Sequence, residues 1–314
     1  MLASVLLLCL SVPVTASESY SIADTFIGAG FFNWTWETFS DPTHGRVKYV
    51  DKATAMATNL SDSFLMRADN LNVVPPADPG RRSVRISSPS AYTDSVLVLD
   101  LWHMPAGCST WPAWWTVSHT GPWPQGGEID IIEGVNRNSM NLGSLHTTPN
   151  CNMIQTRNQS GQTVSTVCDA SVNYNQGCGV EFTKPNSYGQ GFNSNGGGWF
   201  AMQRASCGIY MWFWSRNDFT VPLEVVQGLS TVNPDPTLWG VPDAAFPSDQ
   251  CDYASHFNAH NIVFDLTFCG DWAGSAYGNS SCPSSCEDYV DNNPKAFDEA
   301  YWEISSLRVY TPNA

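Results

Sequence analysis

Residues 126–134 read Gly-Gly-Glu-Ile-Asp-Ile-Ile-Glu-Gly and place three carboxyl groups among isoleucines. On a β-strand, alternate side chains face the same side, so Glu128 and Asp130 share one face while Ile129 faces the core. Glu133 follows Glu128 by five residues and would face the wrong way on a regular strand. One extra residue in a β-bulge, at the two adjacent isoleucines, returns it to that face. The stretch therefore predicts a bulged strand with three carboxyl groups on one surface.

Three neighbouring carboxyl groups repel one another when ionised, so at least one of them is expected to hold a proton. Carboxyl groups in different protonation states are what acid–base chemistry requires. The alternative is a solvated strand face whose charges protect a sheet edge from aggregation. Four tryptophans lie shortly upstream, and their rings either stack on sugar rings or belong to the core. They are Trp111, Trp114, Trp115 and Trp123.

The composition of the 314-residue chain predicts a globular, charge-poor protein. Hydrophobic residues make up 42% and aromatic residues 12%, whereas charged residues make up 14% against a usual ~25%. The 14 basic and 29 acidic residues give a net charge of -15. Such a surface repels nucleic acid and anionic membranes, so we expect neither as a partner. A neutral ligand and a monomeric protein are expected instead.

The first 17 residues are predicted to be a secretory signal peptide. Residues 5–14 form a short apolar run, small residues follow at 15–17, and the first charge is Glu18. No basic residue precedes the apolar run, which leaves a buried N-terminal strand as the alternative. Beyond the leader, no apolar run approaches the ~20 residues of a membrane-spanning helix. We therefore expect a secreted protein whose mature part, 18–314, is a single domain.

The cysteine content agrees with an oxidising compartment. Cys9 leaves with the predicted leader, and the nine remaining cysteines allow four disulfides and one further thiol. Cys207 has the strand parity of Ile209 and Met211, so we expect it to be that thiol and to be buried. Four glycosylation sequons also support secretion, at Asn33, Asn59, Asn158 and Asn279.

No metal or cofactor site is predicted. A zinc site would favour paired Cys-x-x-Cys spacing, which the chain lacks, and Cys282 and Cys286 are flanked by proline and serine rather than by histidine. Asp24, Asp298 and Glu303 could contribute to a structural calcium site, but their spacing is not diagnostic.

Short apolar segments alternate with clusters of glycine, proline, asparagine and aspartate along the chain. Helical periodicity is confined to short stretches near 49–57 and 294–300. No linker, repeat or low-complexity tract divides the chain, so one domain is expected. These features predict an all-β fold, a two-sheet jelly-roll β-sandwich in which a concave face holds an extended ligand. The clearest strands are 96–102, 209–214, 262–268 and 302–310.

The stretch 126–134 closely resembles the catalytic strand of glycoside hydrolase family 16, in its bulged, laminarinase-like form. Other segments are similar to fungal secreted endo-β-1,3-glucanases, and the similarity runs from about residue 20 to residue 310. These segments are Asp41-Pro-Thr-His-Gly-Arg-Val47, Gly107-Cys-Ser-Thr-Trp-Pro-Ala113, Leu145-His-Thr147, Gly196-Gly-Gly-Trp199 and Thr267-Phe-Cys-Gly-Asp-Trp-Ala-Gly274.

The resemblance implies a concanavalin A-like jelly roll with a cleft across its concave sheet. It also implies cleavage of internal β-1,3-glucosidic bonds with retention, which needs two carboxyl groups ~5 to 5.5 Å apart. By resemblance Glu128 is the nucleophile, Glu133 is the general acid/base, and Asp130 is the carboxylate between them. Five further residues are expected to line the cleft: Trp111, Trp115, Trp123, His146 and Trp272.

Some features leave alternatives open. Without the resemblance, His146 reads as a structural residue. The segment from Trp115 to Trp123 is one residue longer than the family pattern, Gln203 replaces an expected acidic residue, and Cys207 has no counterpart. The first two leave the subsite preference open, including cleavage of mixed-linkage β-1,3/1,4-glucan. A wall-remodelling transglycosylase and a non-catalytic glucan-binding lectin remain as other functions, although such lectins tend to lose a catalytic carboxylate.

Overall fold

The computed structural model describes residues 19–227 and 233–313. The predicted leader, 1–17, lies outside the described residues. The strands of the described part, in chain order, are β1 (Tyr20–Ile27), β2 (Thr35–Trp36), β3 (Val47–Tyr49), β4 (Met56–Asn59), β5 (Phe64–Arg67), β6 (Arg81–Ser83), β7 (Arg85–Tyr92), β8 (Ser95–His103), β9 (Thr110–Ser118), β10 (Glu128–Glu133), β11 (Leu142–His146), β12 (Gln162–Thr163), β13 (Cys178–Glu181), β14 (Gly198–Ala205), β15 (Gly208–Ser215), β16 (Ala244–Pro247), β17 (His260–Phe268) and β18 (Tyr301–Pro312).

Helical segments are short and lie in the connections between strands. In the described ranges the α-helices are α1 (Gly189–Ser194), α2 (Leu223–Gln227), α3 (Tyr253–His256) and α4 (Cys286–Asn292). Single 3-10 turns cover Gly28–Asn33, Asn173–Asn175, Pro236–Leu238, Ser248–Gln250, Tyr277–Asn279 and Pro294–Phe297, and a π-helical turn covers Gly270–Gly274.

Two large sheets form the sandwich, each with eight strands. Sheet A has the order β16-β15-β14-β8-β18-β5-β4, and β1 also pairs with β18. Sheet B has the order β12-β13-β11-β10-β9-β17-β7-β2. A small parallel pair, β3 with β6, lies outside both sheets. The carboxylate strand β10 is therefore a central strand of sheet B and not an exposed edge.

The main hydrophobic core lies between the two sheets. Strand β10 contributes Ile129, whereas β15 contributes Met211 and Phe213 from the opposite sheet, and all three side chains are fully buried. Alternate residues on each strand enter the core, which follows from the twofold repeat of side chains along a strand. The predicted all-β sandwich is confirmed, and the four clearest predicted strands fall within β8, β15, β17 and β18.

The predicted helical stretch at 49–57 is wrong. Strand β3 ends at Tyr49, the backbone turns at Asp51, whose C=O accepts the N–H groups of Thr54 and Ala55, and β4 begins at Met56. Pairing of β3 with β6 and of β4 with β5 satisfies the backbone here, and such tertiary pairing overrides a weak local preference. At 294–300 the helical signal produces one 3-10 turn only.

Four disulfides are formed, as the cysteine count predicts. They join Cys108 to Cys282, Cys151 to Cys251, Cys168 to Cys178, and Cys269 to Cys286.

Cys207 is the described cysteine outside these disulfides, but the prediction that it is buried is wrong, since its side chain is exposed. Ala205 pairs with Gly208, so Cys207 lies in the tight turn between β14 and β15. Strand parity does not apply at that position.

Candidate active site

The predicted bulge lies in the centre of β10. Against β11, Asp130 pairs with Ser144 and Glu133 with Leu142, so two residues of β10 stand opposite one of β11. The isoleucines at 131 and 132 are both fully buried. The three carboxyl groups therefore lie on the outer face of sheet B, as the sequence predicts, while the isoleucines face the core.

A buried asparagine supports the bulge. Asn141 is fully buried; its Oδ1 accepts the backbone N–H of Glu133 at 3.1 Å, and its Nδ2 donates to the C=O of Ile131 at 2.8 Å. The bulge removes these backbone groups from the regular ladder, and buried backbone groups need partners. Sequence reasoning missed Asn141, because an asparagine in a loop just before a strand is usually exposed.

Each carboxyl group of the cluster has its own hydrogen-bond donor. Trp123 Nε1 donates to Glu128 Oε2 at 2.9 Å, and Trp111 Nε1 donates to Glu133 Oε1 at 2.9 Å. Between them, Asp130 Oδ2 accepts from Ser144 Oγ at 3.1 Å and lies 3.4 Å from His146 Nε2. Two of the predicted tryptophans thus hold the two glutamates directly, and His146 stands beside Asp130.

Burial raises the pKa of all three carboxyl groups. The pKa of Asp130 is raised furthest, well above its usual range, because the charges of Glu128 and Glu133 add to its burial. For Glu128, the charge of His146, the Trp123 hydrogen bond and Arg85 oppose the upward shift of the pKa. For Glu133, His146 and the Trp111 hydrogen bond oppose the rise of the pKa that burial causes, and the negative charge of Glu128 adds to it. The pKa directions of Glu128 and Glu133 are therefore the same, and the assignment of their roles rests on the resemblance.

A second polar group lies beside the cluster on the β7 flank. Arg85 forms ion pairs with Glu37 at 2.9 Å and with Asp265 at 3.4 Å, and its guanidinium stacks on the Trp115 ring at 4.8 Å. The three charged residues belong to segments that are far apart in sequence, so sequence reasoning had no pattern by which to find them. The guanidinium of Arg85, which is largely buried, therefore packs on the ring of Trp115, a residue predicted to line the cleft.

Strand register connects this group to the cluster. Glu133 of β10 stands opposite Ala113 of β9, which stands opposite Asp265 of β17. The pKa of Asp265 is raised to about 7, mainly by burial; the charge of Arg85 opposes this rise, and the charges of Asp41 and Glu133 contribute to it. The acidic side chains of sheet B therefore extend beyond the three that the motif contains.

The remaining predicted cleft residues stand in loops at the edge of the cluster. Trp272, in the π-helical turn, packs edge-on against Trp111 with ring centroids 5.8 Å apart. Trp123 is 47% exposed in the loop before β10. That loop enters β10 through Gly127, whose φ is +83° and whose Cβ, if present, would lie 2.5 Å from the Phe257 ring. Glycine is required there by both conformation and space.

Gln203 does not belong to this site. It lies on β14 of sheet A, and its Nε2 donates to the hydroxyl of Tyr20 at 2.9 Å. The departure from the family pattern at Gln203 is therefore on the sheet opposite the carboxyl cluster. Trp114, the remaining tryptophan upstream of the motif, is fully buried in the core.

One group of potential metal ligands occurs within the described residues. Ligand-type atoms of Glu128, Asp130 and His146 lie within 4.8 Å of one another. Trp123 and Ser144 already donate hydrogen bonds to the two carboxyl groups, so protein partners hold them in place. We treat the group as an acid–base cluster, and the lack of a metal requirement stays a prediction.

A jelly-roll sandwich that carries three neighbouring carboxyl groups on the outer face of one sheet, with tryptophans around them, defines a glycoside hydrolase. A family model described as an XgeA-like, catalytic GH16 domain matches residues 34–310. The chain therefore belongs to glycoside hydrolase family 16.

Curated relatives are fungal proteins. A probable glycosidase of Schizosaccharomyces pombe is 42% identical over 309 residues, which are 95% of this chain and 71% of that protein. A probable endo-1,3(4)-β-glucanase of Aspergillus clavatus is 40% identical over 310 residues, which are 94% of this chain and 47% of that protein. The chain thus spans about half the length of the Aspergillus relative.

Solved structures share the fold over their whole length. Laminarinase 16A from Phanerochaete chrysosporium, with β-glucans in both donor and acceptor sites, is 48% identical with a TM-score of 0.91, and the match covers 93% of this chain and 100% of that one. An elongating family 16 β-1,3-glucosyltransferase is 39% identical with a TM-score of 0.86, over 93% and 100% of the two chains.

Proposed function

We propose that this chain cleaves internal β-1,3-glucosidic bonds of laminarin-type glucan by a retaining double displacement. The observation that carries the proposal is the bulge in β10, which puts Glu128 and Glu133 on one face with Asp130 between them. Each glutamate is held by a tryptophan N–H, and burial raises the pKa of both.

In the first half-reaction, ionised Glu128 attacks the anomeric carbon while protonated Glu133 gives its proton to the departing oxygen. A covalent glycosyl–enzyme intermediate forms and the glycosidic bond breaks. In the second half-reaction Glu133, now ionised, takes a proton from water, which displaces Glu128 from the same face that the leaving group left. Two inversions give net retention.

Asp130 acts on the proton balance of the pair. It is buried between the two glutamates, and its own pKa is raised furthest, so it remains protonated while Glu128 is ionised. A neutral Asp130 adds no repulsion to the nucleophile, whereas an ionised one would. We infer that Asp130 tunes both glutamates and makes no bond to the sugar.

The substrate class rests on the relatives and on the lining of the cleft. The 48% identical laminarinase binds β-glucans, and the curated Aspergillus relatives are named endo-1,3(4)-β-glucanases. Three tryptophans, Trp111, Trp115 and Trp123, surround the carboxyl groups of this chain. We propose β-1,3-glucan as the substrate, with mixed-linkage β-1,3/1,4-glucan as a second one.

The test is a time course of products from laminarin and from mixed-linkage glucan, separated by chromatography. An endo hydrolase releases a ladder of oligosaccharides, and viscosity falls before the reducing ends accumulate. Glucose as the only early product would contradict the endo mode, and unchanged glucan would favour a lectin.

Transglycosylation is a second candidate because a 39% identical relative is an elongating β-1,3-glucosyltransferase. Transfer uses the same covalent intermediate, with a sugar hydroxyl in place of water. Products longer than a laminari-oligosaccharide substrate would identify transfer, and their share should grow with substrate concentration.

We further propose secretion as a glycosylated monomer. Four disulfides and the exposure of all four sequon asparagines support an oxidising, extracellular location. None of the helices within 19–227 and 233–313 has the length and apolarity that crossing a membrane requires. N-terminal sequencing of secreted protein should find a start near Ser17, and its mass should fall after deglycosylation to that of one chain.

A further inference from the structure

A disulfide-closed loop stands next to the catalytic cluster on the β11 flank. The disulfide Cys168–Cys178 joins the two ends of the loop. Within it, Asn173, Tyr174 and Asn175 have φ values of 51°, 55° and 60°. Three consecutive left-handed residues without a glycine are unfavourable, and for tyrosine this conformation is an outlier.

Asn175 reaches from this loop to the histidine of the cluster. Its Oδ1 lies 2.8 Å from Nδ1 of His146, a ring that is 7% exposed. The other ring nitrogen, Nε2, lies 3.4 Å from Asp130 Oδ2. Gly177 passes close to the same ring, because a Cβ there would be 2.9 Å from Nδ1. The loop therefore both packs against the imidazole and hydrogen-bonds to it.

We propose that Asn175 is a positioning residue for the catalytic cluster, which fixes His146 in the tautomer whose Nδ1 carries the proton. A carbonyl oxygen accepts hydrogen bonds and cannot donate, so the Nδ1–H donates to Asn175 Oδ1. In the neutral ring Nε2 then presents its lone pair to Asp130. The proposal deepens the proposed function and rests on it.

The proposed tautomer of His146 decides where the proton between His146 and Asp130 lies during the reaction. With Nδ1 as the donor and Nε2 as an acceptor, the proton between His146 and Asp130 lies on the carboxyl group of Asp130, which donates it to Nε2. Asp130 thus contributes no uncompensated negative charge beside Glu128, the proposed nucleophile. Asn175 Oδ1 contacts His146, and Asn175 therefore acts on the cluster through that ring.

The backbone outliers support a functional reason for this conformation. The left-handed residues make two short-range backbone bonds, from Asn175 N–H to Val172 C=O at 3.1 Å and from Gln176 N–H to Asn173 C=O at 3.2 Å. Strained residues persist where the surrounding structure enforces them, and they cluster at functional sites. In this loop, the left-handed backbone conformation places Oδ1 of Asn175 next to His146.

Three variants test the proposal. Asn175→Ala removes the acceptor, and Asn175→Asp keeps an acceptor that cannot donate when ionised. Asn173→Ala is the matched control, because it makes the same change two residues earlier, at a position with a similar φ. The first readout is the nitrogen-15 NMR spectrum of the histidine rings, with the His146 signals assigned from a His146→Gln variant. The second is kcat and KM on laminarin oligosaccharides.

In the wild type we expect the Nδ1–H tautomer of His146. We expect Asn175→Asp to keep this tautomer and Asn175→Ala to show a mixture of the two tautomers. For Asn175→Ala we expect kcat to fall about fivefold, which equals about 1 kcal/mol and is the net worth of one hydrogen bond. We expect KM to change less than twofold, and Asn173→Ala to match the wild type in both readouts.

An Nε2–H tautomer in the wild type overturns the proposal, and so does an unchanged tautomer in Asn175→Ala. A kcat loss of equal size in Asn173→Ala overturns it too, because the loss would then reflect the loop alone. The NMR readout needs no substrate, so a wild-type protein without glucanase activity would refute the proposed function and leave the tautomer test standing.

Discussion

Trp111→Phe should move the basic limb of the pH–activity profile to higher pH. Trp111 Nε1 donates to Glu133 Oε1 at 2.9 Å, and this hydrogen bond lowers the pKa of Glu133 against the upward effect of burial. Removing the donor therefore raises the pKa of Glu133. Because the proposed acid must be protonated to act, activity then persists to higher pH.

The size of this change follows from the hydrogen bond that is lost. A hydrogen bond to a charged group is worth about 1.5–3 kcal/mol, and about 1.4 kcal/mol corresponds to one pH unit. At the lower end of this range, the basic limb moves upward by about one pH unit. Phenylalanine keeps an aromatic ring against Trp272, so the edge-on packing is largely retained.

The assay is kcat/KM on laminarin between pH 3 and pH 9, which reports the protonation of the free enzyme. Trp123→Phe is the matched variant, since Trp123 donates in the same way to Glu128. Glu128 must be ionised, so a raised pKa moves the acidic limb upward, by roughly half a unit because Trp123 is 47% exposed and water can replace the donor. Trp111→Phe should therefore widen the pH–activity profile, and Trp123→Phe should narrow it.

An acidic limb that moves in Trp111→Phe, with a basic limb that stays in place, would show that Glu133 is not the acid. Two variants with identical profiles would show that the tryptophans do not distinguish the glutamates. Either result would refute the assignment of the two roles from their hydrogen bonds.

Asp265→Asn should reduce the loss of folding stability that the wild type shows between about pH 4 and about pH 7. The folded pKa of Asp265, about 7, lies above the usual ~3.9, so in this range the unfolded chain has lost a proton that the folded chain still holds. Urea denaturation at pH 5 and pH 8 measures this, and the same change in the free energy of unfolding in wild type and variant would contradict it. Asn141→Ala should lower the free energy of unfolding by about 2–4 kcal/mol, since two buried backbone groups lose partners; urea denaturation measures it, and no change would contradict it. Cys207 should react with a thiol reagent in the native state at about one group per chain, and no reaction would contradict its exposure.

The carboxylate strand could be predicted from sequence because its information is local. The spacing of Glu128, Asp130 and Glu133, with two isoleucines between the last two, conflicts with a regular strand, and a bulge resolves the conflict. The bulge and its direction are confirmed. The tryptophans near the motif were found for the same reason, since they lie within about twenty residues of it.

The partners of the cluster could not be predicted because the fold brings them from distant segments. Arg85, Asp265 and Asn175 carry no distinguishing pattern in their own neighbourhoods. Strand order places Arg85 and Asp265 near β10, and the loop closed by Cys168–Cys178 places Asn175 beside His146. Cys207 shows the opposite failure. Cys207 precedes Ile209 by two residues, which on a continuous strand would put both side chains on the same face. A tight turn separates Cys207 from the strand of Ile209, so this spacing does not predict burial of Cys207.

The stereochemistry of azide rescue tests the central assignment most directly. In Glu133→Ala, a glucan substrate with an acidic leaving group still forms the intermediate, and azide then displaces Glu128 and gives the β-glycosyl azide. In Glu128→Ala, azide occupies the space of the missing carboxylate, attacks once and gives the α-glycosyl azide. Proton NMR couplings distinguish the two products. The assignment predicts β for Glu133→Ala and α for Glu128→Ala, and the reverse pair would exchange the two roles, whereas full activity in both variants would place the catalytic site elsewhere.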